Sequence, residues 1–86
     1  MNDVEYHVAS FVAHVLHEHA DELCELINLQ QGGQVHAVSE DGKIVFTIEA
    51  SSHKAVDHLL TPIRLHSTVM SLSPVYHQFL NEQQAS

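Results

Sequence analysis

The period of the apolar residues switches back and forth along this chain, and the order of the switches leaves few architectures open. Residues 43–50, KIVFTIEA, give the clearest strand, with Ile44, Phe46 and Ile48 on one side and Val45, Thr47 and Glu49 on the other. Residues 6–15, YHVASFVAHV, are apolar on both faces, as expected of a strand inside a sheet. Residues 17–30 change period: Leu16, Ala20, Leu23 and Ile27 step by four, three and four along one helical stripe. Gly32-Gly33 is expected to end that helix as a left-handed C-cap.

Residues 34–40 read as a short strand, and Asp41-Gly42 predicts a tight type I′ hairpin turn into 43–50. Ser51 or Ser52 suits the N-cap of a helix over 53–65, with Val56, Leu59, Leu60 and Ile63 as its buried stripe. Pro62 should kink or end it. Residues 67–77 complete the set as a strand in which Pro74 removes a ladder donor, so it belongs at an edge or carries a bulge. The order βαββαβ predicts an α+β, ferredoxin-like sandwich: a four-stranded antiparallel sheet, order 4-1-3-2, with both helices on one face. The 86 residues hold one domain, expected over 1–78, with 79–86 as a polar flexible tail.

Composition narrows the partners. Eleven acidic residues face only Lys43, Lys54 and Arg64, a formal charge of −8, which disfavours nucleic acid and anionic membranes and favours a cationic partner. The first residues, MNDVEYHV, lack a basic region and an apolar run, so neither a signal peptide nor a membrane span is expected and the chain should act in the cytoplasm. The single cysteine, Cys24, excludes an internal disulfide or a CxxC site and reads as a packing residue on the first helix. Nine histidines raise a metal-handling reading, yet His17/His19 and His53/His58 are spaced to diverge on helices. No glycine-rich phosphate loop is present, and the lone arginine stands at the end of the second helix, so catalysis is not expected.

With both helices on one face, the other face is open. Parity assigns Ala9, Phe11, Ala13 and Val15 to the helix side of strand 1 and Val8, Ser10 and Val12 to the open side. Val45, Thr47 and Glu49 follow on strand 3. On strand 4, Met70 and Leu72 are expected inward, with Val69, Ser71, Ser73 and Val75 outward. Such a shallow face of β-branched and hydroxylated residues is what ordinary strand formers give. It is also what a docking surface for an apolar or amphipathic segment, or a sheet-mediated dimer, would need.

Three stretches carry a resemblance. VASFVA (8–13), GGQVHAVSEDGKIVFTIEA (32–50) and MSLSPVYHQ (70–78), in that order and spacing, resemble the NapD family, the small cytoplasmic chaperones of periplasmic nitrate reductase. The likeness runs from about residue 6 to 78. It implies a protein without a cofactor of its own; a monomer or weak homodimer is expected. It would bind the twin-arginine signal peptide of the reductase catalytic subunit, restraining export until the molybdenum cofactor and iron–sulfur cluster are inserted. The expected peptide-binding residues are then Val8, Ser10, Val12, Val45, Thr47, Glu49, Ser71 and Ser73. Glu49 is the first carboxylate for the arginines, ahead of Asp3, Glu5 and Glu82. The alternatives are a histidine-based metal-handling module and a sheet-mediated dimerisation domain.

Overall fold

The computed structural model describes residues 7–75. The elements run β1 (His7–Val15), a one-turn 3₁₀ helix (His17–His19), α1 (Ala20–Leu29), β2 (Gly33–Val38), β3 (Lys43–Ala50), α2 (His53–Arg64) and β4 (Val69–Val75). The four strands form one antiparallel sheet in the order β2-β3-β1-β4, the ferredoxin-like arrangement expected. The expected tail, and the carboxylates Asp3, Glu5 and Glu82, lie outside the described residues, as do Tyr76 and His77.

The core lies between the sheet and the helix layer. Ala13 and Val15 of β1 and Ile44, Phe46 and Ile48 of β3 are fully buried. They meet Leu23 and Ile27 of α1 and Val56, Leu60 and Ile63 of α2. Each such large side chain contributes about 1.5–3 kcal/mol through burial. Phe11 stacks on Phe46 with ring centroids 5.6 Å apart, and an offset aromatic pair adds about 0.5–1.5 kcal/mol.

Several local expectations are corrected. The first helix starts at Ala20 rather than at residue 17, because His19 offers no side-chain cap and residues 17–19 take a tighter turn, with His19 N–H donating to Leu16 O. Leu16 therefore sits outside the stripe and is exposed. That helix ends at Leu29 with Gln30 extended, so neither glycine is a left-handed C-cap. Gly32 instead uses its φ of 87° inside the turn that Gly33 N–H closes onto Gln30 O.

The Asp41-Gly42 turn is not type I′, which needs positive φ at both residues. Only Gly42 has it, at 90°. Gly42 N–H donates to Ser39 O and Ser39 N–H to Lys43 O, making a three-residue loop that ends on a left-handed glycine. The α2 expectations hold. Ser52 caps the helix by accepting from Ala55 N–H at 3.0 Å, and the helix stops two residues after Pro62. Pro74 falls on the edge strand, opposite Phe11.

Candidate functional site

The central strands put the expected residues in register. Val8 faces Glu49, Ser10 faces Thr47, Val12 faces Val45 and His14 faces Lys43. On one flank Gln34 joins Thr47 and Ala37 joins Val45. On the other, Val75 joins Ser10, Ser73 joins Val12 and Ser71 joins His14. The alternate residues of the same two strands are those buried in the core, so these rows form the face away from the helices. From the Glu49 row to the Lys43 row is about 20 Å at ~3.3 Å per residue, with strands about 4.8 Å apart across the face.

The chemistry is graded along that length. The middle row, Val45 and Val12 between Ala37 and Ser73, is apolar and small. Both valines are half-buried, whereas Val8 is 63% exposed. Glu49 is exposed at one end and Lys43 at the other. Next to Glu49, a groove of about 670 Å³ runs along the β3–α2 junction, with Ala50, Ala55 and Leu59 in its lining and Lys54 and His58 among its polar walls.

Bulges on both edge strands redirect side chains, and on β4 they do so against expectation. On β4, Val15 pairs with Val69 and His14 with Ser71, so Met70 is an extra residue. Val69 consequently packs against the core and Met70 is 54% exposed, the reverse of the expected assignment. On β2, Val35 pairs with Phe46 and Ala37 with Val45, leaving His36 extra. Its Nε2 reaches the open face and lies 2.8 Å from Thr47 Oγ1, so the Thr47 hydroxyl is already engaged. Strand reading alone could not place His36. His14 and Lys43, by contrast, follow from the parity of Val12 and Val45.

Four further histidines have partners close by. His7 and His53 have ring centroids 4.5 Å apart, and Glu22 lies 3.4 Å from His19 Nδ1 and 3.5 Å from His66 Nε2. Among the described residues no group of three or more His, Cys, Asp or Glu has the geometry to hold a metal ion. Nor is any helix among them long and apolar enough to cross a membrane.

Cys24 packs against the core, where burial first and the nearby Asp21 charge second push its thiol pKa up. The thiolate is the nucleophile, so Cys24 should be a poor one. Its reaction with a disulfide reagent near neutral pH is expected to be slower in the native protein than in urea. A native rate equal to the unfolded rate would contradict the packing role.

The chain matches the family model described as NapD protein over residues 6–81. The solution structure of the E. coli Tat proofreading chaperone protein NapD is similar to it with a TM-score of 0.77 and 23% sequence identity, over 85% of this chain and 78% of that one. No curated protein matches.

Proposed function

The chain belongs to the NapD family, and from that premise we propose that it is a chaperone whose open sheet face binds the twin-arginine signal peptide of a periplasmic nitrate reductase catalytic subunit. In the cytoplasm it would hold that peptide back from export until the cofactors are in place. The observation that carries this reading is the Val45–Val12 row, half-buried small apolar residues across the middle of a sheet face that no helix among the described residues covers. An amphipathic helix could lie on it with its apolar stripe down, in the helix-on-surface mode of peptide recognition. About 13 helical residues would span the 20 Å between the end rows. Ser10, Ser71 and Ser73 flank that path with small side chains, Val8 extends it, and Thr47 lies beside His36.

The cationic part of the peptide meets Glu49, which is exposed at the end of β3. An exposed arginine–carboxylate contact contributes only about 0.2–1 kcal/mol, so such contacts set orientation and association rate more than affinity. Glu49→Gln is therefore expected to weaken binding by no more than about fivefold, and raising the salt concentration should narrow the difference between the two proteins.

Calorimetry with a synthetic twin-arginine signal peptide tests the function. Saturable one-to-one binding, reduced when both arginines become glutamine, is the expected result. A folded protein that does not bind the peptide would overturn the reading.

A further inference from the structure

We infer that the open face binds its peptide in one direction only: the basic, N-terminal end of the peptide helix lies at the Glu49 row, and its C-terminal end lies at the Lys43–His14 row. This rests on the peptide-binding reading above and adds a polarity to it.

The carboxylates bordering the face are not equivalent. Asp41 accepts the Ser39 hydroxyl and lies 3.9 Å from Lys43 Nζ. The Ser39 hydrogen bond, foremost, holds its carboxyl below the ordinary range, with the Lys43 and His14 charges acting in the same direction. Asp41 is thus ionised but already engaged inside the β2–β3 turn. Glu40 is exposed in the loop between β2 and β3, beyond the last row and on neither strand of the face. Glu49 stands on a strand within the face, and its carboxylate makes no ion pair or hydrogen bond with the described residues. A guanidinium approaching the sheet therefore finds an unengaged anion at one end and a lysine at the other. Lys54 lines the groove beside Glu49, and it is carried by α2 rather than by the sheet.

The backbone of the bound helix favours the same direction. Signal peptides place their basic residues ahead of the apolar run, so the cationic end is the N-terminal end. The opposite end of a helix carries unsatisfied carbonyls and a partial negative charge, which cations stabilise. Lys43 and His14 are side by side there, on neighbouring strands, with Ser71 next to His14. The arginines and the helix dipole thus select one orientation through different groups. The apolar run, coming after the arginines, then falls on Val45 and Val12.

Paramagnetic broadening reads the direction. A synthetic signal peptide carrying a nitroxide at its N-terminus, added to the ¹⁵N-labelled full chain, is expected to broaden the amides of Val8 and Glu49 far more than those of His14 and Ser71. A nitroxide at the C-terminus should give the reverse. The opposite pattern, or equal broadening at both ends with either label, would overturn the polarity while leaving the docking face standing. Broadening confined to α1 and α2, or no saturable binding at all, would overturn the docking face and the polarity with it.

Discussion

Val12→Glu and Val45→Glu are each expected to reduce signal-peptide affinity by at least about 30-fold, the equivalent of about 2 kcal/mol for a central anchor of an interface, while circular dichroism and melting stay close to those of the parent. The two valines face each other in the middle row of the open face. A carboxylate there must either lose water against the apolar stripe of the peptide or hold the peptide away from the sheet. The extra negative charge attracts arginines at long range, but the arginines belong at the end of the face, not over this row. Fold disruption is not expected, because both positions are half-buried and water can still reach them in the free protein. Leu29→Glu supplies the control: Leu29 is 80% exposed at the end of α1, in the helix layer, so it should leave affinity unchanged. Retained affinity in both valine variants would remove the open face from the binding mechanism. Equal loss in Leu29→Glu would point to the charge of the whole protein instead.

The fold and the centre of this site are legible in the sequence for the same reason. β1 and β3 pair without interruption from His7 opposite Ala50 to His14 opposite Lys43. Strict alternation in KIVFTIEA then fixes the faces of both strands at once, because each residue of β1 inherits the side of its partner. Val12, Val45, Thr47 and Glu49 needed nothing more. The edge strands obey a different rule. In VMSLSPV the bulky residues Met70 and Leu72 alternate, which invites an inward assignment for both. The extra residue at Met70 breaks the alternation, and Val69 takes the inward place. An edge strand tolerates such an insertion because only one neighbour has to accommodate it. The same freedom at His36 brings an imidazole onto Thr47. A bulge has no composition of its own in these stretches, so alternation cannot reveal it.

The glycine turns were half legible: a left-handed residue was expected after α1, but its purpose was not. That purpose gives a large stability effect for a single methyl group. Gly32→Ala should lower the melting temperature by at least about 10 °C, the share that backbone strain alone accounts for. A non-glycine residue at positive φ costs roughly 1–2 kcal/mol, and each kcal/mol shifts the midpoint of a domain this size by about 4–8 °C. The conformational cost is the smaller part of the problem. A Cβ at Gly32 would stand 2.1 Å from Glu49 O, and Glu49 N–H donates to Gly32 O at 3.0 Å, so the two backbones are held against each other. The new methyl can be accommodated only by moving the turn away from the end of β3. Gly32→Asn separates the two causes. Asparagine tolerates the left-handed region better than alanine, but it brings the same Cβ to the same oxygen. If strain alone governed the effect, Asn would recover most of the loss; with the backbone contact governing it, Asn should melt nearly as low as Ala. Because the displaced carbonyl belongs to Glu49, the same variants should also weaken the response of peptide binding to the Glu49→Gln change when affinity is measured well below the melting transition. A Gly32→Ala protein that melts with the parent would show that the α1–β2 turn does not hold the Glu49 end of the face in place.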